Sequence, residues 1–289
     1  MPNLSFTAPT TVDEAVRMLA GSAGLAKPLS GGTDLLVQLR SGRMRPEAIV
    51  DIKRIPGLIG IREEAGEYVI GGATPGVMLS DHEKLSHDWP GIVEGADLIG
   101  SQQIQGRASL AGNLCNASPA ADSVPALIAA RATCVIAGPN GTRTAPVEAI
   151  VTGPGRTSLQ KGEFITEFHV AKPKPHQSDA YLRFIPRTEM DIAVVGCAVN
   201  VTLDGSGVCT DARVVLGAVA PTQIICEESA KALIGHKLDD ATNAALDAAA
   251  GRACNPITDK RGTIEYRIKV AGVLARRAAK LAFERAGAR

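Results

Sequence analysis

Hydrophobic and polar positions along the first seventy residues predict short strands and helices in alternation. Thr11 and Glu14 form a capping box, and apolar residues at helical spacing follow them. Gly31 and Gly32 interrupt the pattern between an apolar run and a second helix that begins at Thr33 or Asp34. Strands are predicted at residues 26–30, 48–52, 58–61 and 68–71, the last two as a hairpin. The alternation indicates a small α/β unit.

The rest of the chain divides at a polar segment, residues 171–178, which has two prolines, two lysines and no apolar period. Before it we predict helices at 91–105 and 122–131, an irregular run at 106–119, and strands at 133–137 and 163–170. After it we predict strands at 180–185, 193–203 and 208–220 and helices at 240–253 and 262–286. The order predicts two domains, 1–175 and 176–289. The fold class is α+β, and the second domain is a three-stranded antiparallel sheet with helices.

Composition narrows the functional classes. The 289 residues are 45% hydrophobic and carry a formal net charge of +1, so no field of one sign attracts nucleic acid over long range. No apolar run reaches the ~18 residues of a membrane span, and the first residues do not resemble a signal peptide. Six scattered cysteines without a C-x-x-C pair offer no zinc or iron–sulfur ligand set. We therefore expect a cytoplasmic protein with reduced thiols, no nucleic-acid partner and no membrane insertion.

The first candidate binding segment is a glycine-containing loop between a predicted strand and a predicted helix. Consecutive glycines let the backbone approach a ligand closely and point several N–H groups at it. The helix N-terminus that follows favours a phosphate. The alternative is a plain strand-to-helix turn with Thr33 or Asp34 as the cap. The loop consists of Leu29, Ser30, Gly31, Gly32, Thr33 and Asp34.

The second candidate is a run of small residues that is too well anchored to be a linker. Leu110 and Leu114 provide the anchors, and Asp122 stands at the start of the next predicted helix, where an N-cap is the simpler role. The segment consists of Ser109, Leu110, Ala111, Gly112 and Asn113.

Two other segments attract attention and are given no binding role. Residues 153–158 approach the G-x-G-x-x-G pattern, but they follow no clear strand and open no helix, so we expect a surface loop. His82 and His87 lie on different faces of any helix, and a solvated polar stretch is expected there rather than a metal site.

The chain resembles the FAD-binding medium subunit of the molybdenum hydroxylases, the family that includes carbon monoxide dehydrogenase and xanthine dehydrogenase. The resemblance runs nearly from end to end, with its segments in the same order. They are S-G-G-T-D-L-L (30–36), I-G-G-A-T (70–74), G-N-L-C-N-A-S-P-A-A-D (112–122), the strand 163–170, R-T-E-M-D-I-A (187–193) and D-K-R-G-T-I-E-Y-R (259–267).

The resemblance implies a role for each matching position. Residues 29–34 and 109–113 match the two loops that hold the FAD pyrophosphate, and hydrogen bonds to such charged groups are worth ~1.5–3 kcal/mol each. Asp122 matches a carboxylate on the adenosine ribose, and Ile99 and Ile165 match positions that flank the nucleotide. Arg183 matches a basic position near the flavin, and Ile192 matches the residue over the isoalloxazine face. The implied first domain is a two-part FAD-binding domain of the vanillyl-alcohol-oxidase type.

The resemblance also implies partners. A large subunit would hold the molybdenum cofactor and a small subunit the [2Fe-2S] clusters. The implied assembly is a dimer of heterotrimers in which this chain carries only non-covalent FAD. Two rival hypotheses stay open: a stand-alone FAD oxidase of the same fold, and a flavin-free scaffold subunit. The family usually has glycine where this chain has Ala111, and a methyl group there would be tolerated only at negative φ.

Overall fold

The computed structural model describes residues 4–289 and begins with a small parallel sheet. Its strand order is β1-β3-β2, with both pairings parallel. The Thr11 hydroxyl accepts the Glu14 N–H at 3.2 Å, so the predicted cap forms, while the Glu14 carboxylate turns to the Thr10 N–H. The elements are β1 Ser5–Thr7, α1 Val12–Gly21, β2 Ala26–Leu29, α2 Thr33–Arg40 and β3 Ala48–Asp51.

A five-stranded antiparallel sheet follows, with the strand order β4-β5-β10-β6-β7. Its strands are β4 Ile61–Glu64, β5 Glu67–Gly71, β6 Thr133–Gly138, β7 Gly141–Pro146 and β10 Phe164–Ala171, and β8 Val151–Gly153 and β9 Arg156–Thr157 form a separate hairpin. The first strand begins three residues later than predicted, because positive φ angles at Gly57 and Gly60 place buried Leu58 in a turn.

Six short helices pack beside this sheet. They are α3 Gly76–Ser80, α4 Glu83–Asp88, α5 Pro90–Asp97, α6 Gln102–Gln105, α7 Leu110–Cys115 and α8 Ser123–Ala129. The single helix predicted at 91–105 is wrong, since the chain turns between α5 and α6 with Gly100 at φ +66°. The run predicted to be irregular contains α7, whose six residues are too few for a periodic signal.

The C-terminal domain has four strands, so the prediction of three is wrong. The order β11-β12-β13-β14 is antiparallel throughout. The additional strand contains only two residues, which pair with Val215 and Leu216. The elements are β11 Gln177–Phe184, β12 Val195–Leu203, β13 Cys209–Gly217, β14 Ile224–Ile225, α9 Glu227–Leu233, α10 Asp240–Ala253 and α11 Ile264–Gly287. Helix α11 buries an alanine-rich face against β11 and β12.

The two domains share polar contacts. Near the end of α11, Arg285 pairs with Glu94 of α5 and also donates to the Asp179 carbonyl oxygen at 2.9 Å. Tyr181 of β11 is fully buried against the helical layer of the first domain. Within residues 4–289, no helix is long and apolar enough to cross a membrane. Over the same residues, no group of His, Cys, Asp and Glu side chains is arranged to hold a metal.

Candidate cofactor site

A cleft of about 550 Å³ lies in the first domain between the two candidate loops. Strand β2 and helix α2 form one wall, and α7 and the segment that leads into β10 form the other. Twelve of the sixteen residues proposed from the sequence line it. They are Leu29, Ser30, Gly31, Gly32, Thr33, Asp34, Ile99, Ser109, Ala111, Gly112, Asn113 and Ile165. The fold therefore brings the two loops together on one ligand-sized space.

Two carbonyl groups of the first loop accept hydrogen bonds from cationic side chains that do not line the cleft. Lys53 Nζ donates to the Ser30 carbonyl oxygen at 2.9 Å, and Arg107 Nε donates to that of Gly31 at 3.2 Å. Gly32 has φ +77°, a conformation that glycine adopts without strain, and the eight residues of α2 begin directly after it. In residues 4–289, the N–H groups of Gly31 through Asp34 donate to no other group. Free donors and a helix N-terminus suit an anion.

The second segment is helical rather than a loop. Ser109 is the N-cap of α7 and its hydroxyl accepts the Gly112 N–H at 3.2 Å, so residues 110–113 form the first turn. Ala111 has a helical, negative φ, and its methyl group is buried. Because φ is negative at this position, alanine fits there without backbone strain, and a glycine is not required. Leu110 does not line the cleft, because it packs in the main hydrophobic core.

Besides Leu110, three more of the proposed residues lie outside the cleft: Asp122, Arg183 and Ile192. The Asp122 carboxylate accepts the Tyr181 hydroxyl at 3.0 Å on Oδ1 and Arg183 Nη1 at 2.7 Å on Oδ2. Asp122 precedes α8 but makes no capping bond with its side chain, so the simple N-cap alternative does not describe it. Ile192 is 52% exposed between β11 and β12.

Burial raises the pKa of Asp122 to about 6, and the Arg183 guanidinium and the Tyr181 hydroxyl act against that rise. The structure thus joins Asp122 and Arg183 to each other and separates them from the cleft that the loops enclose.

Several cleft residues were missed in the sequence. Gly155 and Thr157 line the cleft, and their segment is the exposed turn and short strand of the β8–β9 hairpin, where the sequence predicted a surface loop with no binding role. The Gly155 N–H donates to the Ala117 carbonyl oxygen at 2.9 Å, which holds the β8–β9 hairpin against the end of α7. Gln38 and Asn116 also line the cleft and hydrogen-bond to each other at 2.9 Å. These contacts join segments that are distant in the sequence, so no local sequence pattern predicts them.

Charges of both signs line the cleft: two lysines and two acids, Asp34 and Glu163, of which Glu163 is paired with Arg143. Lys27 and Lys161 are among its lining residues, and Lys161 Nζ donates to the Ser22 carbonyl oxygen at 2.7 Å. The two lysines and the free backbone N–H groups supply donors that an anion requires, and the apolar residues Ile99 and Ile165 line the same cleft. By contrast, His82 caps α4 by accepting the Leu85 N–H.

Comparison with known proteins identifies both domains. The family described as "FAD binding domain in molybdopterin dehydrogenase" matches residues 2–173, and "CO dehydrogenase flavoprotein C-terminal domain" matches residues 180–282. The carbon monoxide dehydrogenase medium chain of Hydrogenophaga pseudoflava is 34% identical over 98% of each chain. The xanthine dehydrogenase FAD-binding subunit of Escherichia coli O157:H7 is 31% identical over 98% of this chain and 97% of its own.

Solved structures give the same relationship. A chain of the reconstituted CO dehydrogenase from Oligotropha carboxidovorans superimposes with a TM-score of 0.93 at 32% identity, over 98% of each chain. In these oxidoreductase complexes the medium subunit binds FAD, and the molybdenum cofactor and iron–sulfur clusters belong to partner subunits. This chain belongs to the family of FAD-binding medium subunits of the molybdenum hydroxylases.

Proposed function

We propose that this chain passes electrons from the iron–sulfur clusters of a partner subunit to an external acceptor through one non-covalent FAD. Its partners are a molybdenum-binding large subunit and an iron–sulfur small subunit, assembled as a cytoplasmic dimer of heterotrimers. Domain 1–175 supplies the enclosed cleft, and domain 176–289 covers the flavin end. Bound FAD supplies the electron-transfer chemistry, and the protein binds, orients and tunes it.

The observation that carries this proposal is the set of free N–H groups at residues 31–34, directly before α2. An anion bound there gains hydrogen bonds and the favourable end of the helix dipole. Ser109 and Gly112 bring the first turn of α7 to the same cleft. We assign the FAD pyrophosphate to the space between these two segments and place the nucleotide between Ile99 and Ile165.

The flavin ring is assigned to the part of the domain junction that carries Arg183 and Ile192. Ile192 is apolar and exposed, so it offers a ring a contact surface and no proton donor or acceptor. The two acids near these residues are already engaged: Asp122 accepts from Tyr181 and Arg183, and Asp191 accepts from Arg187 and from the Ile192 N–H. This favours an electron relay over an oxidase that must take a proton from its own substrate.

The test is anaerobic reduction of the purified chain, followed by the flavin absorbance. We expect dithionite to bleach the flavin, and we expect no bleaching by aldehydes, purines, N-heterocycles or carbon monoxide. Fast bleaching by one of these, in a sample free of molybdenum and iron, would instead indicate a stand-alone oxidase. Absence of flavin bands after incubation with FAD would indicate a scaffold.

Purification of the natural assembly tests the partners. We expect two further subunits to accompany the chain and to contain molybdenum and iron. Acid precipitation should release all of the FAD, because attachment is non-covalent. Flavin retained in the pellet would contradict that part of the proposal.

A further inference from the structure

Gln38 and Asn116 form a pair of hydrogen-bonded amides on the wall of the cleft. Gln38 Nε2 donates to Asn116 Oδ1 at 2.9 Å, and both residues line the cleft and are half-buried. Each amide side chain has an acceptor oxygen and two donor hydrogens. Within residues 4–289, Gln38 Oε1 and Asn116 Nδ2 make no hydrogen bond. The pair therefore has an unused acceptor next to an unused donor.

The amide pair lies one helical turn beyond the segments assigned to the pyrophosphate. Gln38 follows Asp34 by four residues on α2, a rise of about 6 Å along the helix. The Asn116 N–H donates to the Gly112 carbonyl oxygen at 3.0 Å, which closes the last turn of α7. A ligand with its phosphate at residues 31–34 thus has the group attached to that phosphate within reach of the pair.

An acceptor beside a donor matches the polar edge of adenine. That edge has a ring nitrogen that accepts and an amino group that donates, and the side chains of Asn and Gln pair with it in DNA recognition. Ile99 and Ile165, between which the nucleotide is placed, are apolar and leave this edge without a partner. Adenine is joined to its phosphate by one ribose, whereas the isoalloxazine ring is attached through a longer ribityl chain. Of the two rings of FAD, adenine therefore fits a position one helical turn from the phosphates.

We propose that Gln38 and Asn116 recognise the adenine base of FAD and make the cleft selective for adenine nucleotides. Asn116 Nδ2 donates to a ring nitrogen of the base, and Gln38 Oε1 accepts from the amino group at C6. The hydrogen bond between the two amides orients both for this contact. The inference rests on the proposed function, because it takes the ligand of the cleft to be FAD.

The experiment measures how well ADP and IDP displace FAD from the full-length chain, followed by FAD fluorescence. IDP has an oxygen at C6 where ADP has an amino group, so Gln38 Oε1 faces an acceptor and loses its hydrogen bond. We expect the unmodified chain to bind ADP at least about tenfold more tightly than IDP.

Two variants assign this preference to the amide pair. Asn116→Asp keeps the oxygen that accepts from Gln38 and removes the donor, and Gln38→Met removes the acceptor. Both should abolish the preference for ADP. The negative charge of Asn116→Asp weakens both diphosphates alike, so the ratio of the two affinities is the quantity to compare. Asn255→Asp, the same change at an exposed residue that does not line the cleft, should keep both affinities.

A merely structural role of the pair would weaken ADP and IDP equally and leave their ratio unchanged. The inference is wrong if the unmodified chain binds ADP and IDP equally, or if both variants keep the preference for ADP. It is also wrong if the variants alter the affinity for FMN and not for ADP, because the pair then contacts the flavin half. If Asn116→Asp does not fold, Gln38→Met decides. Failure of the unmodified chain to bind FAD would refute the proposed function, whereas a preference for ADP in that chain would still support recognition of adenine.

Discussion

The carbonyl oxygen of Arg107 lies where a side chain at residue 31 would begin, because a Cβ built on Gly31 would come within 1.9 Å of it. The first glycine loop therefore packs directly on the backbone that leads into α7. We predict that Gly31→Ala separates the two segments and weakens FAD binding at least tenfold, about 1.4 kcal/mol. Titration of the flavin-free chain with FAD, followed by fluorescence, measures the change.

Gly21→Ala is the matched control for that substitution. A Cβ at Gly21, at the end of α1, has no heavy atom of another residue within 4 Å. We expect this variant to bind FAD as the unmodified chain does. Equal affinity of the Gly31→Ala variant would show that the approach of the two segments does not matter for the cofactor.

The hydroxyl oxygens of Ser30 and Ser109 lie 2.7 Å apart, and Ser109 also caps α7. Ser109→Ala removes both contacts, and we predict a loss of about 1–2 kcal/mol in FAD binding together with a small loss of stability. Thr263→Ala removes the cap of α11, where the hydroxyl accepts the Tyr266 N–H at the same 3.2 Å. This control should lose stability and keep its affinity for FAD.

Ala111 lies in the first turn of α7 with its methyl group buried. We predict that Ala111→Gly lowers the free energy of unfolding by about 1 kcal/mol, because glycine is a poorer helix former and a buried methyl group is lost. FAD affinity should not improve. Chemical denaturation of the flavin-free chain gives the first quantity and FAD titration the second, and tighter FAD binding would contradict the account given for this position.

The buried carboxyl group of Asp179 should make the free energy of unfolding depend on pH. Its Oδ1 accepts the Gly91 N–H at 2.9 Å, and Oδ2 has no partner in residues 4–289. Burial raises the pKa of Asp179 to about 7. The folded state then holds a proton that the unfolded chain releases near pH 4, so the contribution of this residue to stability falls as the pH rises from about 4 to 7.

Asp179→Asn should flatten this part of the pH profile and stabilise the protein above pH 7. Urea unfolding at several pH values measures the free energy of unfolding of the variant and of the unmodified chain. Glu189→Gln, a change at an exposed loop residue, should leave the profile unaltered. If the free energy of unfolding of Asp179→Asn has the same pH dependence as that of the unmodified chain, Asp179 is not the cause of this dependence.

Local sequence patterns were sufficient to predict many of the helices and strands. The capping box at Thr11 and the glycine pair before Thr33 indicated α1 and the loop before α2, because caps and glycines act over a few residues. The two-residue strand Ile224–Ile225 was missed, since it is defined by its pairing with β13 and has no pattern of its own.

In the candidate site, too, some features could be predicted from local sequence and others depend on long-range packing. The residues of both glycine segments could be chosen from the sequence because their chemistry is local. The Gly155 contact with Ala117 and the pairing of Asp122 with Arg183 depend on how distant segments pack, so no local pattern indicated either contact.

The walls of the cleft come from residues spread between Leu19 and Ile165. Loop closure over such distances must precede the formation of the site, and long-range contacts of this kind form slowly. A chain that is synthesised from its N-terminus has no complete place for FAD until β10 has emerged and joined the sheet. At the site proposed for FAD, we therefore expect the cofactor to bind late in the folding of this domain, and we expect fragments that end before β10 not to bind it.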